Sequence, residues 1–439
     1  MEYRRRTLRT GGVGAVVFAL TFLLLFACGD DGSSSPSAPA DTDTPSAAAS
    51  TTVASAAGTE TPAASPAAIA TAIASMPLEV KAGQLLMPGF DGTIVDEEVG
   101  ALVDDYHVGN VVLLGRNAGA PDQLRALTRD LQQRARAANG EGMLIAIDQE
   151  GGDVTRLDPP FVQFPPARTI GCIGSARLAR EAARIAGTEM RAAGLNMNLA
   201  PIADVADNPA NTVIGDRAFG TTPDAVIEVL PSYVLGLRDA DVASTVKHFP
   251  GHGSTDGDSH LGEVTLAKSR DELERTELPP FRAVAGMADV MMTSHVVYPA
   301  LDGSGRPAAL SKPIIDLLRN EMTFGGVIIT DDLEMRAIQD RWSVADAAVE
   351  ALNAGVDVLL FTSATYVGDV HATIVSAVQD GTIAESRLDE SLARVLALKR
   401  RLLAVPDPPL SEIGSTAHQQ FIDELDVEAA ASGCRASVE

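Results

Sequence analysis

Residues 247–260, KHFPGHGSTDGDSH, hold three histidines, three glycines, two aspartates and a proline within fourteen positions. Glycine and proline break regular structure, and clustered His and Asp are costly to bury without partners. The stretch is therefore a loop whose polar groups could grip a metal, move a proton or merely turn a corner. Asp258 lies two residues before His260, and a carboxylate close to an imidazole favours the charged ring. Other chemistry-bearing residues sit at the ends of apolar runs: Asp148-Gln149-Glu150 after LIAI, Lys247-His248 after ASTV, His295 after VMMTS, and Asp331-Asp332 after GVIIT. A carboxylate such as Asp331 at a strand end can attack an electrophilic carbon, or it can cap the helix that follows. With two acids side by side, Asp332 can cap while Asp331 attacks.

The elements that must position these groups are short apolar runs alternating with amphipathic stretches from residue 77 onward. Strands are expected at 84–90, 108–114, 143–150, 195–201, 242–250, 289–296, 325–333 and 355–361. Helices are expected between them, including 121–139, 176–193, 223–239 and 344–353, several opened by Ser, Thr or Asp caps. Strands this apolar are buried on both faces, as in a parallel sheet covered by helices. Eight such units fit an α/β fold of the TIM type, a (β/α)8 barrel, in which chemistry belongs at the C-terminal ends of the strands. The rival is an open doubly wound sheet, but no GxGxxG follows the first strand.

The N-terminus reads as an address. Arg4, Arg5, Arg6 and Arg9 precede an apolar run from Val13 to Ala27, followed by Cys28. That pattern is a signal peptide (1–28), and LFAC resembles a bacterial lipobox that would place a lipid on Cys28. Residues 29–75 are rich in Ser, Thr, Ala and Pro, lack Lys and Arg, and are expected to be a disordered linker. The catalytic-type barrel should span 77–403. Residues 404–439 then form a tail, a helix packed on the barrel or a partly disordered segment. A net charge of -25 argues against nucleic acid as a partner. Cys28, Cys172 and Cys434 are too few and scattered for a disulfide framework or zinc ribbon, and Cys172 reads as a small buried hydrophobe.

IDQEGGDVTRL, NLAPIADVADNPANTVIGDRAFG, VKHFPGHGSTDGDSH, MTSHVVYPALD and VIITDDLEM occur in that order. Together, over about residues 77–403, they resemble glycoside hydrolase family 3, in its β-N-acetylhexosaminidase branch. The resemblance implies a retaining exo-β-N-acetylglucosaminidase that needs no cofactor and no metal. Asp331 would be the nucleophile, His260 the acid/base and Asp258 its partner, while Asp148, Arg156, Arg217, Lys247 and His248 would bind the sugar. A buried Lys247 would need an acid, Asp148 or Asp331, and Arg217 could instead bridge to Asp216 or Asp204. His252 reads as structural. Asp153 stands where the family usually carries Arg, which puts substrate detail in doubt and leaves the chemistry alone. The natural partner would be a β-GlcNAc-terminated glycan from peptidoglycan or chitin. The enzyme would be a monomer held at the outer face of the cytoplasmic membrane by its lipid. Three alternatives stand beside this reading: a β-glucosidase of the same family, a metal-dependent barrel hydrolase using His248, His252, Asp258 and His260, and a lipoprotein that binds sugar without cleaving it.

Overall fold

The computed structural model describes residues 65–434. Eight strands fall inside the eight expected ranges: β1 (Leu86–Pro88), β2 (Asn110–Leu113), β3 (Leu144–Ile147), β4 (Met197–Asn198), β5 (Ala243–Phe249), β6 (Val290–Thr293), β7 (Val327–Thr330) and β8 (Leu359–Phe361). Every residue in them is buried, which is why they read as continuous apolar runs. β2 to β7 pair in sequence order, all parallel, and β1 pairs in parallel with β8. A bridge between Ile329 and Val358 joins β7 to β8. Between β1 and β2, Gly109 N–H donates to Gly83 O at 3.1 Å, and the Asn110 amide donates to Gln84 O and Leu86 O. The sheet is thus strongly curled and parallel, consistent with a TIM-like domain.

The helices begin where the caps predicted. Ser175, Thr222 and Ser343 each accept a backbone N–H at the starts of Ala176–Ala192, Pro223–Asp239 and Val344–Ala354. Helix Glu385–Leu403 crosses the N-terminal ends of the strands. Its Lys399 reaches Gln84, and its Arg394 and Arg401 reach Asp357 and Asp289, residues that precede β1, β8 and β6.

Three expectations need correction or completion. The signal peptide, Cys28 and residues 29–64 of the expected linker lie outside the described residues. The end of that linker, however, is a helix, Pro66–Ala74, capped by Ser65. Ile69 and Ile73, one turn apart, bury their side chains, and the helix packs on Glu385–Leu403. A bias toward Ser, Ala and Pro hid two well-spaced isoleucines. In the tail, Thr416–Ala431 is a helix burying Phe421 and Leu425, with His418 Nδ1 2.8 Å from Glu189 Oε1. Beyond it, Cys434 forms a disulfide with Cys172, so Cys172 is not a lone small hydrophobe. The partners are 262 residues apart, and only the folded-back tail brings them together.

Candidate active site

The expected site residues converge at the C-terminal ends of the strands. Asp148, Arg156, Arg217, Lys247, His248, His260 and Asp331 line one cavity of about 270 Å³. That is the small end of the range for ligand pockets and suits one sugar ring better than a long chain. A larger groove of about 450 Å³ lies between Arg125, Arg191 and Asp407, but no histidine lines it and Asp407 is paired with Arg191. Asp258 does not line the cavity. It reaches it through His260, whose Nδ1 is 2.7 Å from Asp258 Oδ1.

Lys247 and His248 are consecutive on β5, and strict alternation would send them to opposite faces. Both line the cavity because the pairing with β6 slips between Val246 and Phe249. Lys247 Nζ meets Asp148 Oδ1 at 2.7 Å, as anticipated, but its second acid is Glu150 Oε1 at 2.6 Å and not Asp331. Glu150 also takes a two-pronged bond from Arg217, Nε to Oε2 and Nη2 to Oε1, each 2.9 Å. The expected Arg217 bridges to Asp216 or Asp204 do not form. Burial opposes ionisation of Glu150, yet Lys247 and Arg217 outweigh it and hold the carboxyl down at about 2. Sequence reading passed over Glu150. The motif QEGG displays an acid, but only the fold shows that it joins two cations.

A second acid was also missed. Asp204 is completely buried in the loop after β4. It holds His248 Nδ1 at 2.7 Å and accepts the backbone N–H groups of His248 and His252. This pins the His248 ring and leaves Nε2 as the nitrogen available to the cavity.

Asp331 directly follows β7 and is half-buried, open to the cavity. Burial alone would raise its pKa, but His248, His295, the Asp332 N–H and Lys247 together hold it at about 2. Asp332 is different: burial, with Glu334 and Asp331 nearby, pushes it up to about 6. Its carboxylate accepts from Glu334 N–H and Thr362 Oγ1, a bracing role; the expected helix cap does not form, since helix Arg336–Gln339 begins after Met335 with no side-chain cap. His295 sits behind the pair, donating from Nε2 to Asp332 O at 3.0 Å. The four groups once considered as metal ligands have other partners: His248 with Asp204, His252 with two hydroxyls, and His260 with Asp258.

Residues 77–398 match the glycosyl hydrolase family 3 N-terminal domain. The chain belongs to glycosyl hydrolase family 3. Among relatives in this family, the beta-hexosaminidase LpqI of Mycobacterium tuberculosis is 36% identical over 327 residues, 73% of this chain and 82% of that protein. Beta-hexosaminidase A of Pseudoalteromonas piscicida is 33% identical over 364 residues, 76% of this chain and 60% of that one. Among solved structures, a family 3 beta-N-acetylglucosaminidase from Paenibacillus sp. superposes with a TM-score of 0.78 at 40% identity, covering 81% of this chain and 69% of its own. The M. tuberculosis LpqI structure gives 0.68 at 33% identity, covering 77% and 97%.

Proposed function

We propose that this glycoside hydrolase is a retaining exo-β-N-acetylglucosaminidase, its sheet closed as a (β/α)8 barrel. The observation that carries the reading is an ionised, half-buried Asp331 at the end of β7, facing the same cavity as a His260–Asp258 pair. The names of the relatives supply the sugar class. In the first step an Asp331 carboxylate oxygen bonds to the anomeric carbon as the bond to the leaving oxygen breaks. The proton on His260 passes to that oxygen. In the second step the now neutral imidazole takes a proton from water, whose oxygen attacks the same carbon and releases Asp331. Asp258 accepts a hydrogen bond from Nδ1–H and so presents Nε2 to the substrate; burial opposes its charge, but the backbone and ring hydrogen bonds from His260 keep it ionised. Asp148, Arg156, Arg217, Lys247 and His248 bind hydroxyl and acetamido groups, and no metal or cofactor takes part.

Terminal β-GlcNAc on peptidoglycan fragments or chitooligosaccharides is the substrate class we infer. The reading includes export, a lipid on Cys28 and action as a monomer at the outer face of the cytoplasmic membrane. The Cys172–Cys434 disulfide supports export, since such bonds persist in oxidising compartments. The test is a panel of aryl glycosides followed by NMR of the product. Cleavage of β-GlcNAc well above β-glucoside, with β-GlcNAc as the first-formed anomer, is expected. A preference for glucoside moves the reading to β-glucosidase, and inversion removes Asp331 as a nucleophile.

A further inference from the structure

The loop that carries Asp258 and His260 is held unevenly. Its stem is fixed at every turn: Tyr298 Oη donates to Gly251 O at 2.7 Å, the Asn211 amide to His252 O and Gly253 O, and Ser254 Oγ joins Asp207, Glu277 and Lys268. The tip is a closed unit. Asp258 Oδ1 takes both the backbone N–H and the ring Nδ1 of His260, and Asp258 O takes the Leu261 N–H. Those bonds shape the pair but do not attach it to the barrel.

Attachment comes through the residue between them. Ser259 is 2% exposed, while the side chains of Asp258 and His260 on either side are 32% and 60% exposed. Ser259 Oγ lies 3.1 Å from His252 Nε2, and Ser259 O accepts the N–H of Ala337, in the short helix Arg336–Gln339 that follows Asp331 and Asp332. Among the described residues, these two bonds are the ones that tie 258–261 to the rest of the fold.

His252 is suited to be the fixed side of such a joint. Its backbone N–H is held by Asp204 at 2.7 Å and its ring is buried. Burial first, and the neighbouring His248 second, lower its pKa, so the ring is neutral near pH 7, with one N–H and one bare nitrogen. The network closes with Nδ1–H donating to Thr255 Oγ1, Thr255 O–H donating to His252 O, and Ser259 O–H donating to Nε2.

We propose that Ser259 and His252 form a latch that seats the acid/base tip over the cavity, making both positioning residues for the proton transfer. The inference rests on His260 being the acid/base. Through Asp204, one buried carboxylate then aligns the sugar-facing His248 directly and the proton donor at one remove.

The test compares kcat/KM, which reports the glycosylation step, for two substrates. Dinitrophenyl β-N-acetylglucosaminide expels a leaving group that needs no proton; N,N′-diacetylchitobiose expels one that does. His260→Ala should lose about 10²-fold or more on the disaccharide and far less on the aryl substrate. Ser259→Ala and His252→Gln should each show the same split on a smaller scale, about 10-fold on the disaccharide, with unchanged thermal midpoints for Ser259→Ala. Ser259→Thr, which restores the hydroxyl, should recover most of the loss. If Ser259→Ala leaves both substrates unchanged or lowers both equally while His260→Ala splits them, the latch is wrong and the acid/base assignment stands. If His260→Ala shows no split, both fall.

Discussion

At the N-terminal ends of the strands, the completely buried carboxylate of Asp357 is surrounded by Arg319, Arg387 and Arg394, with Ser391 and the Ile328 N–H completing its shell. At the C-terminal ends, the buried carboxylate of Glu150 is shared by Arg217 and Lys247. The ingredients match, but the surroundings differ. On the floor, Arg319 and Arg387 also donate to the carbonyls of Phe324, Gly326, Leu352 and Val356. At the mouth, Lys247, Arg217 and Asp148 face a cavity, and Arg156 has no ion pair among the described residues. Paired charge can therefore close a barrel or equip it, and the difference lies in whether the groups around it turn to backbone carbonyls or to a cavity.

The largest break in that comparison is Asp331→Asn. It keeps the shape of the mouth and removes the attacking oxygen's charge, so kcat/KM should fall by about 10³-fold or more. The thermal midpoint should fall, because a carboxyl held at about 2 is better stabilised as an anion in the fold than in the unfolded chain. Unaltered hydrolysis would sink the mechanism.

Next come paired changes at the two ends. Asp357→Asn leaves three partly buried guanidiniums facing a neutral group and should cost about 3 kcal/mol, with activity per folded molecule unchanged. Glu150→Gln should cost a similar amount but also raise KM about 10-fold, equivalent to about 1.4 kcal/mol of binding, because Lys247 and Arg217 lose their common anchor. Urea unfolding and steady-state kinetics on the same preparations check both. If Asp357→Asn damages KM as much as Glu150→Gln does, the two ends are not functionally distinct.

Much of this was legible in the sequence. The eight strand positions followed from short buried runs, and the polar residues after them marked the mouth before any coordinate was known. Asp331, Lys247 and His248 stood out because each lies at or just after an apolar run, and the D-S-H dyad because an acid precedes a histidine by two residues. What escaped were residues whose importance is relational. Glu150 was one acid among many until Lys247 and Arg217 met on it, and Asp204 lay in a loop with no pattern of its own. Ser259 sat unnoticed between two chemically louder neighbours. The Cys172–Cys434 bond needed a tail folded back across the barrel wall.

That bond gives the next smaller effect. Gly171, beside Cys172, packs so closely on Phe219 O that a Cβ would lie 1.9 Å from it, and the nearby Arg168 donates to Gly215 O in the turn carrying Arg217. Replacing both cysteines with serine should cost about 2 kcal/mol. Any accompanying rise in KM should be smaller than that of Glu150→Gln, since Arg217 keeps its carboxylate. Equal stability of the reduced and oxidised protein would show that the tail holds itself in place without the bond.

The smallest effect belongs to the floor and turns on pH. Lys399 is fully buried, with its ammonium on Gln84 Oε1 at 2.8 Å, and burial, only partly offset by Glu141, pulls its pKa down to about 7. Below about pH 7 it is charged in both folded and unfolded chains, so it adds no pH dependence there. Between about 7 and the ordinary lysine value near 10.4, the unfolded chain holds a proton that the folded chain has released. Stability then rises with pH, by about 1 kcal/mol over the first unit. The mouth has the same sign in a different window, because there the charge stabilises: Glu150 and Asp331, both held at about 2, contribute stability above the ordinary carboxylate range that is lost as the pH falls toward about 2. Unfolding free energies of the wild type and of Lys399→Met, measured from about pH 7 to about pH 9, should diverge, with only the wild type gaining the Lys399 increment. Parallel curves would mean that Lys399 reaches water, and the floor would then be less sealed than its contacts indicate.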